Sequence, residues 1–304
     1  MNNDILVPLD VPANMHDEYR KNYDAMTRGT GKLMLFAGDQ KVEHLNDDFV
    51  GDLAHEDDAD PEHLFKIADA ANIGVFATQL GMIARYGMDY KEVPYMVKMN
   101  SKTHLVKTSQ KDPLSLAWYD LEQVASFKKR SGLNILGVGF TVYCGSEFEA
   151  TMLREAAQLI FKAHEHGLVT CLWMYPRGTA VADEKDPHLV AGAAGVAATL
   201  GSDFAKVNYP KAEGANDQQR ALDFQEAIVA GGRTKVVCAG GSSKDNESFL
   251  KELYDQLHVS GAMGNATGRN IHQKSFDEAV KMTNAIYALT IEDASVEEAV
   301  KMLG

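Results

Sequence analysis

Apolar runs and amphipathic stretches alternate along this chain in about eight units of about 30 residues, the span of one strand–helix–strand connection. The apolar runs are 32–38, 73–77, 94–98, 134–142, 168–174, 204–207, 234–239 and 259–263. Between them, 62–72, 120–130, 147–166, 187–200, 216–230, 245–257 and 275–289 read as helices. The runs are nearly continuous in apolar residues, as strands covered on both faces of a parallel sheet must be. Eight such units predict a (β/α)8 TIM barrel rather than an open doubly wound sheet. A dinucleotide fold would carry G-x-G-x-x-G after its first strand. That place holds Gly38-Asp39-Gln40-Lys41-Val42-Glu43 instead.

Residues 1–30 read as a polar N-terminal arm, and 31–304 as one barrel domain. The domain includes an acidic stretch, 47–62, with eight carboxylates. It lacks the glycine and ligand spacing of a calcium loop, which predicts a solvated loop. Ser146 with Glu149, and Ser295 with Glu298, have the spacing of capping boxes at helix starts.

A net charge of −13 argues against nucleic acid or an anionic membrane surface as partner. No run of 18 apolar residues predicts a membrane span, and no basic-then-apolar start predicts a signal peptide. Cys144, Cys171 and Cys238 are odd in number and lie in or near apolar runs, which predicts reduced thiols and a cytoplasmic protein. The ten histidines are scattered. Only His164 and His166 are close, and residues two apart on a helix do not share a face. With no HExxH pattern, neither metal nor cofactor is expected.

In a (β/α)8 barrel, chemistry sits at the C-terminal ends of the strands. Asp39, Lys98, the segment Trp173-Met174-Tyr175-Pro176-Arg177-Gly178 and Lys206 fall there. Lys206 stands in an apolar run, where an ammonium is costly. Either it snorkels to solvent, or it is a desolvated amine able to attack a carbonyl, with Lys98 as its rival. Trp173 and Tyr175, two apart on a strand, face the same way. A tyrosine beside an ammonium suits proton transfer, and Asp39 suits either an ion pair or proton exchange. The segments 239–244 and 264–270 are rich in small residues, which let backbone N–H groups approach an anion. Ser242 or Ser243 and Arg269 add donors for a phosphate.

Trp-x-Tyr-Pro-Arg-Gly at 173–178, Ala-Lys-Val at 205–207, Ala-Gly-Gly-Ser at 239–242 and Gly-Arg-Asn at 268–270 occur in that order. With them the chain resembles the archaeal-type class I fructose-bisphosphate aldolases, including the DhnA-like enzymes, from about Leu33 to Gln273. The resemblance implies a lyase of glycolysis and gluconeogenesis that cleaves fructose 1,6-bisphosphate without metal. Lys206 would form the Schiff base, Tyr175 transfer protons, Asp39 assist and Trp173 shape the site. Gly241, Ser242, Gly268 and Arg269 would hold a substrate phosphate. It also implies a large homo-oligomer, often a decamer. Many relatives follow the first-strand aspartate with His-Gly, whereas here Gln40-Lys41 follow Asp39. That departure keeps open a Schiff-base aldolase or transaldolase for another sugar phosphate, such as a heptulosonate-precursor synthase. A non-catalytic phosphosugar-binding barrel is the further alternative.

Overall fold

The computed structural model describes residues 5–105, 112–211 and 216–304. Eight parallel strands form a closed barrel in chain order. They are β1 (Leu33–Ala37), β2 (Val75–Gln79), β3 (Tyr95–Lys98), β4 (Ile135–Cys144), β5 (Val169–Pro176), β6 (Phe204–Val207), β7 (Lys235–Ala239) and β8 (Gly264–Thr267). β8 closes on β1 in a register running from Leu33 opposite Gly264 to Phe36 opposite Thr267. Helices including Glu62–Ala70, Glu149–Glu165, Pro187–Leu200, Asn246–His258 and Phe276–Ile291 follow the strands. This is the (β/α)8 barrel that the strand–helix cadence predicts. No described helix is long and apolar enough to cross a membrane.

Strand alternation divides the apolar side chains into two clusters. Leu172 and Met174 of β5, with Ala205 and Val207 of β6, pack outward with the helices. Cys171, Trp173 and Phe204 point into the barrel with Leu35, Val75 and Met96. By the same period of two, Lys206 and Lys98 face inward at the upper ends of β6 and β3. An apolar strand therefore carries a lysine because its last inward position opens on the mouth.

The opposite end is tied shut by a buried carboxylate. Asp203 accepts from the Tyr19 hydroxyl (2.5 Å), Thr170 N–H (2.7 Å) and Thr170 Oγ1 (2.9 Å), with His164 Nε2 at 3.1 Å. His164 Nδ1 meets Asp10 at 2.8 Å. The helix His16–Thr27 and the segment before it are thereby fastened under the barrel.

Several sequence expectations are corrected. The last strand is Gly264–Thr267, not 259–263. Val259 and Ala262 still donate backbone hydrogen bonds to Asp255 and Gln256, so the apolar stretch is the exit of a helix. The true strand is polar in sequence yet wholly buried. Its side chains satisfy one another, Thr267 donating to Asn265 (2.9 Å) and Asn265 to Thr290 (2.6 Å). β2 lies two residues later than predicted and is followed by a helix, Leu80–Tyr86, that the periodicity did not mark. The stretch 216–230 forms two helices meeting at Phe224. Ser295 and Glu298 form their capping box. Ser146 and Glu149 do not, because Ser146 donates to Pro113 (2.8 Å) and Glu149 accepts from Gly145.

The acidic stretch is not simply solvated. Asp58 is fully buried against His272 Nδ1 at 2.7 Å, and that ring stacks on Phe49 with centroids 4.8 Å apart. Asp57 accepts from Phe276 N–H (3.1 Å), and Asp48 lies 2.7 Å from His44. Residue counting registers the charge of such a stretch; it cannot register donors that arrive from residues more than 200 positions away.

Candidate active site

The mouth of the barrel holds a cavity of 150 Å³ lined by Asp39, Trp173, Tyr175, Lys206, Gly241, Gly268 and Arg269. Seven of the eight residues singled out in the sequence thus line one cavity. Ser242 does not; it lies one residue past Gly241, exposed, its carbonyl accepting from Asn270 Nδ2 (3.1 Å). A roomier cleft at the base is lined by Tyr19, Tyr23 and Asp203, and the polar groups of Tyr19 and Asp203 already serve each other.

Lys206 is 5 % exposed and pairs in register with Trp173, its Nζ 5.0 Å from the indole centroid. Among the described residues its amine has no hydrogen-bond partner. Burial pulls its pKa down, opposed by the charge of Asp39. Lys98 sits 5.2 Å from the same ring and is differently placed. Its Nζ donates to the carbonyl (2.6 Å) and side-chain oxygen (3.1 Å) of Asn100. Asn100 is itself fixed by Thr141 N–H (2.7 Å) and by the carbonyls of Ser115 and Thr141 (both 2.9 Å). Burial lowers Lys98 to about 8, against the pull of Asp39 and Glu43. Two lysines thus flank one indole, and Lys206 is the unanchored one.

Trp173 fits because the indole lies over a glycine of β4: a Cβ on Gly139 would lie 2.3 Å from the ring. The Trp173 Nε1 has no hydrogen-bond partner among the described residues. The Tyr175 phenol is pushed well above its usual range by burial and by the charges of Asp39 and Glu43. It therefore holds its proton at neutral pH. Asp39 follows β1 after one glycine, and its backbone carbonyl accepts from Gln79 Nε2 (3.0 Å). β2 thereby braces the turn that carries the carboxylate.

Gly268 is required by close approach, since a Cβ there would meet Gln40 Nε2 at 2.2 Å and the Ala37 carbonyl at 2.7 Å. Gln40 thus packs onto the β8 loop, and its Oε1 has no hydrogen-bond partner among the described residues. Half-buried Arg269 lies 3.8 Å from Asp48, which brings the acidic stretch to the cavity rim.

Sequence reading missed Glu43, His44 and Asn208, and gave Arg177 no role beyond its place at the end of β5; all four line the same cavity. Glu43 follows Asp39 by four residues, so helical spacing after β1 was a usable signal. Its contact with His104 was not visible. Glu43, His44 and His104 bring ligand atoms within 4.8 Å of one another. The Lys102 ammonium, 3.4 Å from His104 Nδ1, electrostatically opposes a cation there.

A closed parallel barrel with a buried amine, a phenol and a carboxylate at its mouth defines the aldolase class of (β/α)8 enzymes. Residues 33–274 match the DeoC/LacD family aldolases, and the chain belongs to that family of lyases. It is 60 % identical over 299 residues to the fructose-bisphosphate aldolase/6-deoxy-5-ketofructose 1-phosphate synthase of Methanocaldococcus jannaschii, covering 98 % of this chain and 94 % of that one. The structure of a fructose-bisphosphate aldolase from Slackia heliotrinireducens is similar at a TM-score of 0.96 with 54 % identity, over 100 % of this chain and 95 % of that one. An archaeal fructose-1,6-bisphosphate aldolase with its catalytic lysine bound to a carbinolamine intermediate aligns at 0.75 with 30 % identity, over 91 % and 100 % of the two chains.

Proposed function

We propose that this protein is a Schiff-base aldolase that cleaves fructose 1,6-bisphosphate reversibly to dihydroxyacetone phosphate and glyceraldehyde 3-phosphate. The observation that carries this reading is the state of Lys206: a buried, unanchored amine facing a cavity shared with Tyr175 and Asp39. Burial favours the neutral amine, which attacks the C2 carbonyl. Loss of water from the carbinolamine gives an iminium that draws electrons from the C3–C4 bond. As that bond breaks, the C4 hydroxyl loses its proton and becomes the aldehyde of the departing glyceraldehyde 3-phosphate. Asp39, negatively charged beside the iminium cation, stabilises it. A relay through Tyr175 carries the proton to C3 of the enamine, and water then releases dihydroxyacetone phosphate from Lys206. Trp173 forms the floor between the two lysines. Gly241, Gly268 and Arg269 hold the C1 phosphate, with Ser242 at the edge of that loop.

The two-part name of the Methanocaldococcus relative supports a second product. Splitting 6-deoxy-5-ketofructose 1-phosphate between C3 and C4 leaves the same dihydroxyacetone phosphate half and 2-oxopropanal. One enamine on Lys206 therefore serves two aldehydes. The reading extends to a homo-oligomer, favoured by Trp118 and Phe161, which are 44 % and 52 % exposed on one cleft.

The test is to incubate the protein with fructose 1,6-bisphosphate in EDTA and assay both triose phosphates. We expect cleavage that the chelator does not abolish, and formation of the 5-keto product when 2-oxopropanal is added. Binding of the bisphosphate without turnover would favour the non-catalytic alternative and overturn this reading.

A further inference from the structure

One carboxylate in the mouth has no part in the scheme above. Glu43 stands one helical turn after Asp39, on the short helix Gln40–Glu43, and lines the same cavity. Its Oε1 accepts from the Tyr143 hydroxyl (2.9 Å) and lies 3.5 Å from His104 Nε2. Its backbone carbonyl accepts from His104 N–H (3.1 Å). These contacts fix the side chain from one side. Oε2 has no hydrogen-bond partner among the described residues.

A ketose held at C2 by Lys206, with its C1 phosphate at Gly241, Gly268 and Arg269, must lay its remaining carbons along the rest of the cavity. Glu43 belongs to that remainder. We infer that Glu43 reads the aldehyde half of the substrate, Oε2 accepting a hydrogen bond from a hydroxyl there. An ionised carboxylate is an acceptor only. The C5 hydroxyl of fructose 1,6-bisphosphate donates to it. The C5 carbonyl of the 5-keto product has nothing to donate and sets two acceptors face to face. Glu43 is thus a specificity-determining residue that favours hydroxy-aldehydes over keto-aldehydes, because a site built to bond a hydroxyl discriminates against its absence. Burial disfavours the ionised form, but the His104 hydrogen bond and the charge of Lys98 outweigh it and hold Glu43 at about 2, so it stays ionised at working pH.

This inference rests on the Schiff-base reading, and its test separates the two. The variant is Glu43→Gln, which keeps an acceptor oxygen for Tyr143 and brings an amide donor to the other position. kcat/KM is measured for condensation of dihydroxyacetone phosphate with glyceraldehyde 3-phosphate and with 2-oxopropanal, in parent and variant. We expect the ratio to move toward 2-oxopropanal by about threefold or more. Partial misfolding lowers both rates together and leaves the ratio unchanged. A smaller shift, or one toward glyceraldehyde 3-phosphate, overturns the role of Glu43. Borohydride is added to the parent with dihydroxyacetone phosphate alone as a second arm. An adduct there with an unmoved ratio sinks only the Glu43 assignment, whereas no adduct sinks the Schiff-base reading itself.

Discussion

At the scale of single residues, two lysines with similar burial differ in what their nitrogens touch. Lys98 donates hydrogen bonds to Asn100, which favours its ammonium form; Lys206 faces the cavity with no hydrogen-bond partner for its amine among the described residues. Position at a strand end was legible for both, because the apolar run and the barrel rule suffice for that. Anchoring was not legible, since it depends on Asn100 meeting Thr141 of the neighbouring strand, 41 positions away in sequence. Glu43 was missed for the same reason: its partners Tyr143 and His104 arrive from β4 and from the segment after β3. Tyr175 gives a prediction at this scale. Tyr175→Phe keeps the ring and removes the proton, so the Lys206 adduct should still form while kcat falls by about 10²–10⁴. Single-turnover trapping beside steady-state rates checks this. A variant with near-normal kcat would move proton transfer to another group.

At the scale of elements, six of the eight strands fall close to where periodicity places them. The two misplaced strands share a physical cause. In β8, buried polar side chains pair with each other, so burial leaves no apolar signature. In β2 the strand continues into Thr78 and Gln79, whose side chains bond to the backbone carbonyls of Gly38 and Asp39. The base of the barrel carries a pH prediction. Burial would lower His164, but Asp203 and Asp10 outweigh it and raise it to about 9, above an unfolded value of about 6.5. A raised histidine favours the folded state while it is protonated. That contribution is complete below about pH 6.5 and is lost as pH rises through about 9. Urea midpoints should therefore fall between about pH 7 and 9.5, and His164→Gln should flatten the decline. An unaltered slope in the variant would show that other groups set it.

At the scale of the whole molecule, a chain of net charge −13 has to make a local home for an anionic sugar. On the proposed reading Arg269, Gly241 and Gly268 provide it, in a mouth that also holds Lys206, Tyr175, Asp39 and Glu43. The acidic stretch that dominates the charge count is turned inward at Asp58 and reaches Arg269 through Asp48. Much of that arrangement was readable, because each residue sits at a strand end and the barrel converts strand ends into one place. What was not readable is which group faces which.

On the proposed reading Lys206, and not Lys98, is the amine that meets the ketone. The direct measurement is reduction with borohydride in the presence of dihydroxyacetone phosphate, followed by peptide mapping by mass spectrometry. One reduced adduct is expected, on the peptide bearing Lys206, lost in Lys206→Met and retained in Lys98→Met. An adduct on Lys98, or none on either lysine, would contradict it.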